Sequence, residues 1–82
     1  MCTTLFVQRL PIGTTDAELQ GLFEGVGRVL NCDVMTDSDT RVSKAFALVE
    51  MSTEEEAKRA IDKLNGMELG GRVIFVSEAY QD

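Results

Sequence analysis

Apolar positions recur along this chain with two periods. From Lys44 to Met51 they alternate one by one, which is the period of a β-strand. Ala45, Ala47, Val49 and Met51 share one face, carry no charge and are expected to point into the core. Lys44, Phe46, Leu48 and Glu50 share the other, so two large apolar groups stand outward between a cation and an anion. Adjacent outward apolar side chains mark binding surfaces. Thr3 to Arg9 alternates in the same way, with Leu5 and Val7 opposite Phe6 and Gln8. Val29 to Met35 sets Cys32 and Val34 inward against Asn31, Asp33 and Met35. Val73 to Ser77 is a fourth strand whose two sides, Ile74/Val76 and Val73/Phe75, are equally apolar, so its period leaves its orientation open.

Two stretches follow the helical period instead. Thr15-Asp16-Ala17-Glu18 reads as a capping box ahead of a stripe formed by Leu19, Leu22, Phe23 and Val26, with Gly25 and Gly27 as the stop. Ser52-Thr53-Glu54-Glu55 reads as a second box ahead of Ala57, Ala60, Ile61 and Leu64, with Asn65-Gly66 ending the helix. Lys58, Arg59 and Lys63 lie off that stripe and form a solvated face. Pro11-Ile12-Gly13 breaks the first strand, Thr36 to Ser43 is a polar loop holding Arg41, and Met67 to Gly71 is a glycine-rich turn. The order strand-helix-strand-strand-helix-strand is the split, ferredoxin-like α+β arrangement.

Length and charge narrow the function. The 82 residues make one domain, 1–82, with its core at roughly 3–79. No apolar run approaches the ~20 residues of a membrane span, and no cationic leader opens the chain. Cys2 and Cys32 are far apart and the chain has no histidine, which argues against a zinc site or a disulfide framework and suits a reducing interior; Cys32 reads as a small core residue. There is no metal-ligand cluster, no phosphate-binding glycine loop and no nucleophile with a partner base. No enzyme, catalytic residue, metal or cofactor is expected. The net charge of −6 and pI of about 4.5 sit awkwardly with a nucleic-acid partner, which usually meets a basic patch.

Lys44 to Met51 nevertheless resembles the octamer of the RNA recognition motif family, whose pattern is Lys/Arg, Gly, Phe/Tyr, Gly/Ala, Phe, Val, any residue, Phe/Tyr. Lys44, Phe46, Ala47 and Val49 match; Ala45, Leu48 and Met51 depart from it. Residues 5 to 10, Leu-Phe-Val-Gln-Arg-Leu, resemble the family's second signature, with Arg9 where Asn is preferred. Leu-Asn-Gly and Gly-Arg before the last strand also recur in the family, so the resemblance runs from about Thr3 to Ala79 and extends to short single-domain bacterial members. It implies a four-stranded antiparallel sheet with both helices on one face, and an outward Val73, Phe75 and Ser77. Acylphosphatases share the topology, but Arg9-Leu10-Pro11-Ile12-Gly13 does not resemble their phosphate loop.

The resemblance further implies that aromatics on the open face stack unpaired bases. Phe6 would stack one base, Phe46 would sit against sugars, and Leu48 stands where the family stacks a second base. Phe75 is a substitute platform. Lys44 would meet a phosphate and Arg41 a second one, while Gln8, Asn31 and Ser77 are hydrogen-bond partners for base edges. Asp33 stands where a basic residue is common, so affinity should be weak and its salt slope shallow. The first expected partner is single-stranded RNA, with single-stranded DNA as a variant. The alternative is a protein partner or self-association through Phe6, Phe46, Leu48, Met35, Val73 and Phe75. The expected location is intracellular: cytoplasmic, or nuclear in a eukaryote.

Overall fold

Alternation becomes an antiparallel sheet in the computed structural model, which describes residues 3–11, 13–37 and 44–79. The elements are β1 (Thr4–Leu10), α1 (Asp16–Glu24), β2 (Val29–Asp37), β3 (Lys44–Met51), α2 (Glu54–Leu64), β4 (Glu68–Leu69), β5 (Arg72–Val73) and β6 (Phe75–Glu78). The main sheet runs β2-β3-β1-β6, with every neighbouring pair antiparallel. Leu5 and Val7 of β1, Ala45, Ala47, Val49 and Met51 of β3, and Ile74 and Val76 at β6 meet Leu19 and Phe23 of α1 and Ala57, Ala60 and Leu64 of α2 in one core. Both helices therefore cover one face, and the other is open. Val49 is fully buried whereas Phe46 is half-buried, as the octamer's alternation requires. Truncating Phe23 to alanine would cost about 3–5 kcal/mol, a large share of the stability of so small a domain.

The last strand differs from its expected span. Val73 belongs with Arg72 to a two-stranded hairpin, and β6 begins only at Phe75. Gly70 and Gly71 both take positive φ (56° and 85°), and Leu69 pairs with Arg72 around them. Two consecutive residues at positive φ make the two-residue hairpin turn for which Gly-Gly is suited. Ile74 and Val76 are buried and Val73 and Phe75 exposed, the orientation that the family resemblance implied.

The second helix starts one residue later than its expected box. Ser52 still donates its N–H to the Arg28 carbonyl at 2.9 Å, extending the β3 ladder. Thr53 is the N-cap, and its hydroxyl accepts from the Glu56 N–H at 3.1 Å. Glu56, not Glu55, is the reciprocating carboxylate. It accepts from the hydroxyls of Ser52 and Thr53 and from the backbone N–H of Arg28 at 2.9 Å, so it ties α2 to the start of β2. The Thr15 cap of α1 forms its half of the expected box, accepting from the Glu18 N–H at 3.2 Å. Both outer strands are also held by side chains from the helices. Asp16 Oδ1 accepts from Val34 N–H on β2, and Asn65 Oδ1 from Val76 N–H on β6. Such contacts occupy strand edges that would otherwise pair with another chain.

Gly27 has a steric reason beyond stopping α1. A Cβ there would lie 2.7 Å from Glu56 Cγ and 2.8 Å from its Cβ and Cδ. Hydrogen bonds, led by that from Ser52 and then that from Arg28, hold the Glu56 carboxyl below its ordinary range. Because the folded value is the lower one, this carboxylate stabilises the fold above the unfolded value. The contribution is lost as pH falls through the folded one. Gly27→Ala is expected to lower Tm by about 4–8 °C in thermal unfolding at pH 7. Glu56→Gln is expected to lower it as well, and to flatten the fall of Tm with acid seen in the parent chain.

Candidate nucleic-acid interface

The open face follows from pairing register. β1 and β3 are the central strands, and Phe6 lies opposite Leu48 on one side and Ser77 on the other. Leu48 in turn faces Asp33, so Asp33, Leu48, Phe6 and Ser77 form one row across the sheet. Beside it, Met35 faces Phe46, and Gln8 faces Phe75. Phe6 and Phe46 meet edge to face, with ring centroids 5.7 Å apart and planes at 77°. This geometry suits the ring quadrupoles and adds about 0.5–1.5 kcal/mol beyond burial. Both rings are half-buried, whereas Leu48 and Phe75 are exposed to 37% and 48%.

Of the predicted site residues, Phe6, Gln8, Asn31, Phe46, Leu48, Phe75 and Ser77 thus share the four-stranded face, all of them at outward positions. Asn31 is already engaged: its Nδ2 donates to Asp33 Oδ2 at 3.2 Å. Lys44 is placed on β3 opposite Asp37, and its side chain lies outside the described part of the structure. Arg41 lies outside the described residues altogether.

A bulge interrupts the alternation of β1. Val7 pairs with Ala47 and Leu10 with Ala45, so Gln8 and Arg9 together oppose Phe46. Arg9 takes φ 65°. That left-handed conformation costs an L-residue about 1–2 kcal/mol, and Asn tolerates it better than most. The extra residue resets side-chain parity. Leu10 would otherwise share the outward set of Phe6 and Gln8, but it is fully buried. One signal was available: apolar Leu10 falls on the polar parity of its strand. β2 repeats the device, with the exposed Leu30 inserted between the Val29–Met51 and Asn31–Glu50 pairs.

The bulge also shapes a hollow of about 420 Å³ beside the aromatic pair. Phe6, Phe46 and Gln8 line it together with Leu10 and Ala45, and two arginines, Arg9 and Arg72, complete the lining. Arg72 reaches this place because the β4–β5 hairpin packs beside β1, near enough that a Cβ on Gly70 would lie 3.0 Å from Pro11 Cγ. The Arg9 guanidinium stands 5.6 Å from the centre of the Phe75 ring, a cation–π distance. Neither arginine was among the predicted site residues.

Other chemistry is sparse. Cys32 is buried on the inner side of β2, where desolvation first, then the charges of Asp16 and Asp33, push its thiol up to about 11. At neutral pH it is protonated and inert. Among the described residues no group of three His, Cys, Asp or Glu side chains is arranged to hold a metal ion. Two cations on α2 are engaged behind the sheet: Lys58 lies 3.6 Å from Glu54, and Arg59 donates to the Val26 carbonyl at 3.3 Å.

Known proteins share this pattern. The 29 kDa chloroplastic ribonucleoprotein of Arabidopsis thaliana is 43% identical over 75 residues, covering 92% of this chain and 22% of that protein. The chain thus spans well under half the length of such a relative. Among solved structures, the Sex-lethal RNA recognition domains 1 and 2 of Drosophila melanogaster match with a TM-score of 0.85 at 37% identity, covering 96% of this chain and 50% of that one. The Rna15 RRM with bound RNA (GU) matches with a TM-score of 0.85 at 27% identity, covering 99% of this chain and 86% of that one. A family model described as the RNA recognition motif matches residues 5–74. The chain belongs to the RNA recognition motif family.

Proposed function

We infer that this domain binds single-stranded RNA on its open sheet face. The observation that carries the reading is the Phe6–Phe46 pair, half-exposed on the two central strands of a sheet whose other face is filled by helices. Such rings give unpaired bases a stacking platform worth about 1–3 kcal/mol per base. Leu48 adds apolar contact without a π face, and Gln8 and Ser77 flank the pair as hydrogen-bonding groups for base edges. Phe75 is the further aromatic, and Lys44 and Arg41 are the phosphate partners that the family pattern suggests. Asn31 acts with Asp33 as one polar unit, because the two are bonded to each other. The relatives named above include a ribonucleoprotein and a domain solved with RNA, which supports the reading. The domain works as a binding module rather than a catalyst, on RNA inside the cell, with single-stranded DNA as a variant ligand.

A second reading draws on the exposed Met35, Leu48, Val73 and Phe75, which suit a protein surface or a second copy of the chain. The first is preferred because the aromatic pair lies on the two central strands of the open face and family membership adds to it.

With a uridine-rich oligomer followed by fluorescence anisotropy, Phe6→Ala and Phe46→Ala are each expected to weaken binding about 5- to 100-fold, and the double variant to approach background. Lys58→Ala is expected to change it less than twofold. A strong loss from Lys58→Ala with Phe46→Ala silent would move the site to the helices. Asp33→Lys separates the two readings. It is expected to raise RNA affinity and steepen its salt dependence, since each added phosphate contact releases a counterion. A dimer in sedimentation that Asp33→Lys dissociates, with no RNA bound by either protein, would favour the second reading.

A further inference from the structure

The hollow at the β1 bulge holds charge that stacking alone does not use. Arg9 and Arg72 come from different strands, separated by most of the sequence, yet line the same hollow as Phe6 and Phe46. This convergence is local in a chain of net charge −6. The path that brings the two arginines together is itself specific. β1 accepts an extra residue at positive φ, and that residue is an arginine rather than a glycine or asparagine. The hairpin that carries Arg72 is pressed against the turn after β1. Strained backbone concentrates at ligand-binding positions when the surroundings hold it in place.

We propose that Arg9 and Arg72 form a phosphodiester clamp at the bulge, which holds the backbone phosphate of the nucleotide stacked on Phe6, beside Phe46. The proposal rests on the RNA reading above and gives that face a charged anchor apart from Lys44 and Arg41. A guanidinium fits a phosphate through two parallel N–H donors, which a lysine cannot reproduce. In the free protein the Arg9 guanidinium rests on the Phe75 ring. That contact restrains the planar group in the free protein, so less side-chain freedom is lost when a phosphate arrives. Phe75 thereby supports Arg9 in the free protein. The hollow's volume of about 420 Å³ lies in the range that small ligands fill.

The test uses a labelled pentauridylate, titrated at several salt concentrations against the parent chain, Arg9→Asn, Arg9→Lys, Arg72→Gln and, as a charge control behind the sheet, Lys58→Gln. Asn suits the left-handed backbone at position 9, so Arg9→Asn is expected to keep or raise Tm, which separates lost binding from lost folding. The expected result is a loss of about tenfold for Arg9→Asn and for Arg72→Gln, each lowering the salt slope by no more than about 0.7, the value of the one phosphate contact they share on a single strand. Arg9→Lys should keep the slope and lose most of the affinity; Lys58→Gln should change neither. If the parent chain binds and both arginine variants bind within twofold with the same slope, the clamp is wrong and the stacking face stands. If the parent chain binds no pentauridylate while Tm shows it folded, the RNA reading fails and the clamp fails with it.

Discussion

A side chain in a strand points one way or the other, and in β1 and β3 that parity decides almost everything else. Burying Ala45, Ala47, Val49 and Met51 against the helices leaves Phe46 and Leu48 no place but the open face. Burying Leu5 and Val7 does the same to Phe6. The two signatures thus place their aromatics on adjacent strands, and the register brings the rings to 5.7 Å. A one-residue slip between β1 and β3 would remove both the core and the site. Function and stability here rest on one constraint, read from opposite sides of the sheet.

The constraint is broken once in β1, and the break is useful. By admitting Gln8 and Arg9 opposite a single residue, the strand returns Leu10 to the core and opens a hollow next to Phe46. The helices hold this arrangement from behind. Asp16 and Asn65 bond the outer strands, and Glu56 joins α2 to β2 across a glycine that leaves it room. Much of the chain's acid lies on those helices. Exposed charges are screened over about 8 Å at physiological salt, so the helix-borne acid weighs less on the open face than the net charge suggests.

Element order, the two-faced central strands and the helix stripes were legible because each depends on periodicity over several residues. The orientation of the last strand was not, since both its sides are apolar, and only the family resemblance chose between them. The second cap slipped by one residue because Ser52-x-x-Glu55 and Thr53-x-x-Glu56 are equally good boxes. A long-range bond from Ser52 to Arg28 decides between them. The Gly70-Gly71 hairpin was readable from its turn residues, yet its strands of two residues each are too short to show a period. Arg9 and Arg72 were missed for a different reason. Their meeting depends on a bulge and on the docking of a hairpin; Leu10 hints at the first and Gly70-Gly71 at the turn of the second, but nothing local to either arginine brings the two together.

Occupancy of the open sheet face by single-stranded RNA can be read from amide shifts on an isotope-labelled chain titrated with a short uridine-rich RNA. Shifts are expected to concentrate at Phe6, Gln8, Phe46, Leu48 and their neighbours on β1 and β3, with Glu18 to Glu24 and Lys58 to Lys63 nearly still. Shifts that gather on the helices, or none at saturating RNA, would contradict occupancy of that face.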